Sequence, residues 1–373
     1  MKITIKQNIL MEHLNYVIKG ISAKNLRPIL NCIKFELTKE GLYLSSTDNE
    51  IAIKTFIENK FIEKPEILGD IVVSGKYIYD IIKKLPNELI VIEELEDYKL
   101  FIHTNNSSFN LNCNNPIEFP NLELEYTKNP IFINKKVFKN LISQTAFATS
   151  NQESRPVLTG INFKIENNKL ECTATDSYRL AKKNIILDSD HNENINIIVP
   201  TKNLLELTKL LVDEDGQIEI HIFNNKIIFK FNTILMMSRL INGTYPDTSK
   251  LIPTEFAFKI KLKLNDFYTA IDRASLLTNE SDKNTIKLET LNNIIKISSN
   301  IPEIGNVEEK IEITKDNIND IKIAFSSKYM MDALKSLDCE EIELLINGEI
   351  KPIIVKNIQD NDLIQLILPI RTY

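Results

Sequence analysis

The chain is poor in the residues and motifs that mark cofactor-dependent enzymes. Its 373 residues include no tryptophan and only 9 glycines, where an average composition of about 7% glycine would give roughly 26. Neither GxGxxG nor GxxxxGKS/T occurs, which argues against a glycine-rich loop that cradles phosphates. The sequence therefore predicts no cofactor.

Cysteine and histidine are also sparse. The chain has no CxxC pair and no HxxxH or HExxH spacing among its four cysteines and four histidines, which are Cys32, Cys113, Cys172, Cys339, His13, His103, His191 and His221. Metal sites and disulfide frameworks depend on closely spaced residues of these types. We therefore expect no metal ion, and the cysteine usage fits a reducing compartment.

Long apolar runs are missing as well. No stretch approaches the ~20 residues that a membrane-spanning helix needs. The opening residues, MKITIKQNILMEHL, carry charge throughout and lack the apolar segment of a signal peptide. We therefore expect a cytoplasmic protein that makes no contact with a membrane.

The charge balance is acidic, with 45 Lys+Arg against 51 Asp+Glu and a net charge of −6. A protein of this composition does not coat nucleic acid with its whole surface. If nucleic acid is a partner, the basic side chains must be gathered on one face.

The chain repeats itself. Three segments align with their lysines Lys76, Lys202 and Lys328 spaced 126 residues apart. Each segment opens with a strand and continues as an amphipathic helix, because its apolar residues recur at i, i+3, i+4 and i+7. The three segments are VSGKYIYDIIKKL from Val73, VPTKNLLELTKLL from Val199 and FSSKYMMDALKSL from Phe325.

A hairpin recurs with a similar shift. Residues 35–48 and 163–176 each read as two alternating strands joined by a tight turn, the second with Asn167 and Asn168 at its tip. Residues 288–300 form a looser third copy that turns at Asn292 and Asn293. Further helices are expected upstream, over residues 8–19, 135–147 and 264–277. The fold class is therefore α+β, with three repeated modules over residues 1–125, 126–253 and 254–373.

The repeated helix carries a basic face. Lys76 and Lys83, Lys202 and Lys209, and Lys328 and Lys335 are each seven residues apart, nearly two helical turns, so each pair lies on one side, away from the apolar stripe. A solvated helix face explains one such pair. Three copies in an acidic protein favour a shared basic surface for a polyanion that is bound without sequence readout, most simply the backbone of duplex DNA.

An enzyme is the weaker interpretation. Asp48 and Asp176 end strands, where carboxylates often act in catalysis, but the third copy has Asn300 at this place and no nucleophile motif accompanies them. We therefore expect these residues to cap hairpin turns, and we predict no catalytic residue.

Four segments together resemble the bacterial DNA polymerase III beta subunit family, the sliding clamps. They are RPVLTG from Arg155, TDSYRLA from Thr175, LINGTYPD from Leu240 and the tail LILPIRTY from Leu366. Each motif is weak alone, but their order and spacing are specific, and the resemblance covers the whole chain. It implies a DNA sliding clamp that encircles duplex DNA and gives the replicative polymerase its processivity.

The resemblance implies a head-to-tail homodimeric ring of six clamp-type modules, with helices lining the hole and antiparallel sheets outside. The residues then expected to face DNA are Lys24, Lys76, Lys83, Lys135, Lys139, Arg155, Lys202, Lys209, Lys328 and Lys335. The dimer interface would pair the first module of one chain with the third of another, placing Phe109 opposite Leu276 and Leu277.

The resemblance also implies a pocket for short linear peptides of the polymerase, the clamp loader and repair proteins. It falls here on Leu158, Thr175, Tyr178, Arg179, Leu180, Pro246, Leu251, Pro352, Leu366, Leu368, Pro369, Ile370 and Arg371. The tail is expected to form an edge strand in one wall, with Tyr178, Arg179 and Leu180 in the opposite wall.

One alternative stays open from the residues alone: an interaction scaffold of repeated α+β modules that does not encircle DNA. It accounts for the repeats but not for the three basic helix faces. Retention on nicked circular DNA, with release when that DNA is linearised, separates the two.

Overall fold

A computed structural model describes residues 1–22, 26–127, 129–188, 194–211 and 215–371. Within these ranges the helices occur in pairs along the chain, two for each repeat. They are α1 (Gln7–Val17), α2 (Gly75–Lys84), α3 (Lys135–Ala146), α4 (Thr201–Leu210), α5 (Leu264–Ser275) and α6 (Ser327–Lys335). All six predicted helices are thus confirmed, with ends that differ from the prediction by one or two residues.

The strands of the described residues are short and all their pairings are antiparallel. They are β1 (Lys2–Lys6), β2 (Cys32–Leu37), β3 (Gly41–Thr47), β4 (Ile51–Glu58), β5 (Ile62–Ile67), β6 (Gly69–Ser74), β7 (Leu89–Leu95), β8 (Lys99–His103), β9 (Ser108–Asn114), β10 (Ile131–Asn134), β11 (Gly160–Glu166), β12 (Lys169–Thr175), β13 (Arg179–Ile186), β14 (Ile195–Pro200), β15 (Gln217–Ile222), β16 (Lys226–Phe231), β17 (Ile234–Arg239), β18 (Phe258–Lys263), β19 (Thr285–Leu291), β20 (Ile294–Ile301), β21 (Gly305–Glu312), β22 (Thr314–Lys315), β23 (Lys322–Ser326), β24 (Glu341–Ile346), β25 (Ile353–Asn357) and β26 (Leu363–Ile367).

The chain divides into two compact units. The first comprises Met1–Lys135 and Glu206–Leu240, and its strands form one sheet in the order β10-β15-β16-β17-β4-β3-β2-β6-β9-β8-β7-β1-β5. The helices α1 and α2 pack against one another, and α1 also packs on β3 and β4.

The second unit comprises Lys136–Leu205 and Ile241–Tyr373. It contains two sheets, in the orders β14-β11-β12-β13-β26-β25-β24-β18-β22 and β21-β20-β19-β23. Its α5 and α6 pack together over a core that includes Phe267, Ile271, Phe325 and Leu334. Burying each such side chain stabilises the fold by about 1.5–3 kcal/mol.

The two units do not follow the three repeats of the sequence, because strands pair across the repeats. β4 of the first repeat pairs with β17 of the second along five residues, from Ile51 with Ser238 to Thr55 with Ile234. β13 of the second repeat pairs with β26 of the third in the same way, from Arg179 with Ile367 to Lys183 with Leu363. We call these two ladders the junction ladders.

The predicted hairpins are present, and asparagine occupies the turns of the second and third. β11 and β12 turn at Asn167 and Asn168, whose φ angles are 50° and 60°, and β19 and β20 turn at Asn292 with φ 53°. This left-handed region is disfavoured for most side chains but tolerated by asparagine. The sequence pattern thus located both turns correctly.

No helix among the described residues is long and apolar enough to cross a membrane. The same part of the chain holds no cluster of three or more histidine, cysteine or acidic side chains arranged to bind a metal ion. Its four cysteines are free thiols.

Candidate functional site

The segment Thr175–Arg179 between β12 and β13 is built as a tight capped turn. Asp176 Oδ1 accepts hydrogen bonds from the backbone N–H groups of Tyr178 and Arg179, at 2.9 and 3.0 Å. Ser177 has a φ of 78°, and its N–H donates to Thr175 Oγ1 at 3.2 Å. Asp48 does the same in the first repeat, accepting from Glu50 and Ile51 at 3.0 and 2.9 Å. The predicted capping role of both aspartates is confirmed.

The next residue, Arg179, has a buried side chain that is 8% exposed. Its Nε donates to Asp176 Oδ2 at 3.1 Å and its Nη1 donates to Asp332 Oδ2 at 2.7 Å. The guanidinium carbon also lies 4.5 Å from the ring centre of Tyr329 and 5.5 Å from that of Phe147. Charge-assisted hydrogen bonds of this kind are about twice as strong as neutral ones, so the turn is held firmly.

Two contacts attach the C-terminal tail to this region. The N–H of Leu368 donates to the carbonyl oxygen of Tyr178 at 2.9 Å, and the N–H of Ile370 donates to the carbonyl oxygen of Ala324 at 2.7 Å. Pro369, between them, lacks an N–H and follows the end of β26, where no ladder bond is lost.

The predicted edge strand in the tail is wrong. β26 is an interior strand, because it pairs with β13 on one side and with β25 on the other. Arg179 and Leu180 therefore lie beside the tail strand in the same sheet and not in an opposite wall. Leu366 is consequently buried, with 3% exposure.

Residues next to the turn and the tail in the chain belong to one apolar cluster, which we call the apolar floor. Leu180, Leu345, Ile354 and Leu366 form one buried cluster, against which Ile252, Phe256 and Ile364 pack. Ile252 follows a short 3₁₀ helix, Ser249–Leu251, so the segment after Pro246 runs along this face.

A second apolar cluster contains Leu158, Ile198 and Tyr245. The Tyr245 hydroxyl oxygen accepts a hydrogen bond from the Thr175 backbone N–H at 3.0 Å, which connects this cluster to the turn. Burial raises the pKa of the Tyr245 hydroxyl well above its usual range, so the group stays neutral as an anchor.

The predicted pocket residues therefore separate by exposure. A buried set supplies the floor and its supports: Leu158, Thr175, Arg179, Leu180 and Leu366. The remaining members are accessible or partly accessible: Tyr178, Pro246, Leu251, Pro352, Leu368, Pro369, Ile370 and Arg371. Tyr178 and Leu251 are the most open of the large ones, with 55% and 50% exposure.

Ile370 and Arg371 also line a cavity of about 450 Å³ beside β19 and β23, together with Leu288, Ile323 and Ile350. Its rim carries Lys287, Glu289, Lys322 and Glu349. The tail thus continues past the turn onto a second, charged concavity.

The lysines of the repeated helices are on the surface. All six, Lys76, Lys83, Lys202, Lys209, Lys328 and Lys335, are exposed, while the opposite sides of these helices are buried, as at Ile78 and Ile82 of α2. Lys209 pairs with Glu206 at 2.6 Å, and Lys335 lies over the ring of Tyr268 at 5.7 Å.

The other residues predicted to face DNA differ from these six lysines in exposure and in their contacts. Lys135 is only 5% exposed and its Nζ donates to Asn232 Oδ1 at 3.0 Å, so the expectation that it faces DNA is wrong. Arg155 is exposed, but its Nη1 donates to Ser177 Oγ at 3.3 Å, which places it beside the capped turn. Lys139 is partly exposed, and Lys24 lies outside the described residues.

The residues predicted for a dimer interface are accessible to different extents. Leu276, just after α5, is 79% exposed, and Leu277 next to it is partly exposed. Phe109 on β9 is also partly exposed.

Sequence reasoning missed Asp332 and Tyr329, which hold the Arg179 guanidinium. The sequence shows only that Asp80, Glu206 and Asp332 are acidic residues at the same place in the three repeated helices, which does not identify their partners. Their partners differ although their positions match. Glu206 pairs with Lys209 in its own helix, whereas Asp332 binds Arg179, 153 residues away.

Comparisons with family models, with related sequences and with solved structures all identify the same protein family. Three family models match in order: the N-terminal domain of the DNA polymerase III beta subunit over residues 1–123, its central domain over 132–247 and its C-terminal domain over 249–371.

Two relatives, each named beta sliding clamp, are 42% identical in Staphylococcus epidermidis and 41% identical in Staphylococcus aureus, over the full length of both chains. The DNA polymerase sliding clamp of Bacillus subtilis, a solved structure, superposes with a TM-score of 0.94 at 38% identity, again over all of both chains. The chain therefore belongs to the DNA polymerase III beta subunit family, the non-catalytic sliding clamps of bacterial replication.

Proposed function

We propose that this chain acts as a DNA sliding clamp through a head-to-tail homodimeric ring that encloses duplex DNA in the cytoplasm and tethers the replicative polymerase. Six modules would surround the DNA, three from each chain, over residues 1–125, 126–253 and 254–373. The three aligned helix segments and the recurring hairpins support this division.

The observation that carries the proposal is the basic face of the repeated helices. The pairs on α2, α4 and α6 are exposed on helices whose other side is buried, in a chain with a net charge of −6. Lysine side chains contact phosphates without reading bases, and such binding is weak enough for the protein to move along the duplex. Lys139 would add to this surface.

The strand pattern supports the head-to-tail dimer. β9 begins 126 residues before β17, and β17 begins 129 residues before β26, so these three strands correspond in the three repeats. In the same way β4 begins 128 residues before β13, and β13 begins 126 residues before β21. Residues 108–112 of β9 pair with a strand on one side only among the described residues, and β21 ends its sheet. Exposed strand edges favour pairing with another chain.

A third junction ladder, formed between β9 of one protomer and β21 of its partner, would complete the pattern of the two junction ladders within the chain. Leu276 and Leu277 follow α5, which packs on β21, and Phe109 lies on β9 itself. These three side chains would then be covered at the interface between protomers.

We further propose that the capped turn, the tail and the apolar floor form a docking pocket for short linear peptides of the polymerase, the clamp loader and repair proteins. An apolar floor flanked by exposed Tyr178, Leu251 and Leu368 suits extended peptides with leucine and phenylalanine anchors. Arg155 would lie at the edge of this pocket, since it contacts Ser177.

The test is topological. The clamp should be loaded onto nicked circular plasmid DNA with a clamp loader and separated by gel filtration, and then the DNA should be cut once. A ring stays with the circle and leaves the linear molecule, whereas a scaffold that does not encircle DNA behaves alike on both. Equal retention on the two forms would refute encirclement.

A further inference from the structure

The Arg179 guanidinium is held by two parts of the chain that are distant in sequence. Asp176 belongs to its own turn, whereas Asp332 and Tyr329 belong to α6. Asp332 gives the shorter of the two ion pairs, 2.7 Å against 3.1 Å. The turn is thus fastened to α6 through a single arginine side chain.

The same turn places the aromatic rim of the proposed pocket. The ring of Tyr178 stacks on that of Tyr329 with centres 6.3 Å apart and an angle of 23° between the planes. The Tyr178 carbonyl oxygen also receives the N–H of Leu368. A shift of the turn would therefore move Tyr178 and Leu368 together.

Nothing else among the described contacts of the Arg179 side chain can replace Asp332. Asp176 already accepts two backbone N–H bonds with its other oxygen, and the two rings offer only their faces. Without the Asp332 carboxylate, a buried guanidinium that is 8% exposed loses a charged partner, which is costly unless the side chain moves.

We infer that Asp332 is a positioning residue for peptide binding: it fixes Arg179, and through Arg179 it holds Tyr178 and Leu368 in the arrangement that a client peptide meets. This inference rests on the proposed docking pocket. It assigns to α6, whose exposed lysines belong to the proposed DNA-facing surface, a second role in preorganising that pocket, which reduces the ordering cost of binding.

The experiment uses the full-length protein and a fluorescein-labelled synthetic peptide with leucine and phenylalanine anchors, titrated by fluorescence anisotropy. Asp332→Asn keeps the shape and removes the charge, and it should weaken binding about fivefold, the size of one hydrogen bond. Asp360→Asn is the matched control, because Asp360 pairs with Lys183 on the same strand as Arg179. Its affinity should stay within about twofold of the unaltered protein.

Arg179→Lys supplies the second variant, since lysine keeps the charge but cannot engage both carboxylates as the guanidinium does. If Asp332 acts through Arg179, the double variant binds no more weakly than the weaker single variant. The melting temperature of each variant is measured first, and all titrations are made at a temperature at which every variant is folded. If the two substitutions instead weaken peptide binding independently of one another, their losses of binding free energy add in the double variant.

Two results separate the inference from the pocket on which it rests. Unchanged affinity in Asp332→Asn, or additive losses in the double variant, together with weakened binding in Leu368→Ala, overturns the positioning role and leaves the pocket in place. Unchanged affinity in both Asp332→Asn and Leu368→Ala overturns the pocket itself.

Discussion

The backbone N–H of Leu368 donates to the carbonyl oxygen of Tyr178 at 2.9 Å, immediately after β26 has ended at Ile367. The tail beyond Ile367 is therefore attached to the capped turn but contributes nothing to the two strand ladders that hold β26. Folding and the proposed peptide binding should therefore be separable at this point in the chain.

Ending the chain after Ile367 should abolish peptide binding and leave the protein folded. The truncation removes residues 368–373 but keeps both ladders of β26, so we expect a loss of stability of only about 1–3 kcal/mol from the missing tail bonds. Circular dichroism melting beside peptide titration measures both effects. A folded truncation that binds the peptide normally would show that the tail takes no part in the pocket.

Reversing the charge of one lysine in each repeat should weaken the contact with DNA without affecting peptides. In the triple variant with glutamate at 76, 202 and 328, each lost phosphate contact should lower the slope of log K against log salt by about 0.9. A control with glutamate at 60, 164 and 322 makes the same change in net charge at exposed lysines elsewhere. Similar slopes for the two variants would mean that these helix faces are merely solvated.

Replacing Leu276 and Leu277 by alanine should shift the protein toward monomer. Leu276 is 79% exposed in the single chain, and covering a leucine at an interface contributes about 1.5–3 kcal/mol. Sedimentation at nanomolar concentration measures the monomer fraction. Ile318→Ala is the control, because Ile318 is a 95% exposed aliphatic side chain that lies on no proposed interface. A folded double variant that stays dimeric would exclude this interface.

Mild acid should destabilise the protein through His221. Its side chain is 1% exposed, its Nδ1 accepts the Thr127 N–H at 3.0 Å, and burial lowers its pKa below 6.5, against the opposing effect of Glu219. The unfolded chain therefore binds more protons at this residue than the folded one between the lowered pKa and 6.5. The stabilisation from neutral His221 is complete above pH 6.5 and falls as the pH drops.

The measurement compares the melting temperature of the unaltered protein with that of His221→Asn at pH 7.5 and pH 5.5. His13, whose pKa burial also lowers, is common to both proteins and cancels. The advantage of the unaltered protein should be larger at pH 7.5, because asparagine does not titrate. An advantage that is the same at both pH values would exclude His221 as a source of acid sensitivity.

The helices, hairpins and asparagine turns could be predicted from the sequence because they depend on neighbours a few residues apart. The basic face of α2 follows from Lys76 and Lys83 lying opposite Ile78 and Ile82. The apolar floor was partly predictable, since Leu180 and Leu366 belong to the segments that carry the family resemblance.

What sequence reasoning missed depends on partners far along the chain. Lys135 looks like a surface lysine in the sequence, but in the folded chain its Nζ donates a hydrogen bond to Asn232, 97 residues away. The alternation of Leu366, Leu368 and Ile370 looks like an edge strand, but the observed strand ends at Ile367 and pairs with β13. Arg179 and Asp332 meet only in the folded chain, so no local pattern of charge indicates that they form a pair.

The junction ladders also determine where a ring of this kind can part. Within one chain, consecutive repeats are joined both by the peptide chain and by a five-residue ladder of main-chain hydrogen bonds, which must shear as a set before the repeats separate. Between protomers no peptide bond crosses the boundary. A force that opens such a ring would therefore separate the two chains before it breaks either junction ladder within a chain.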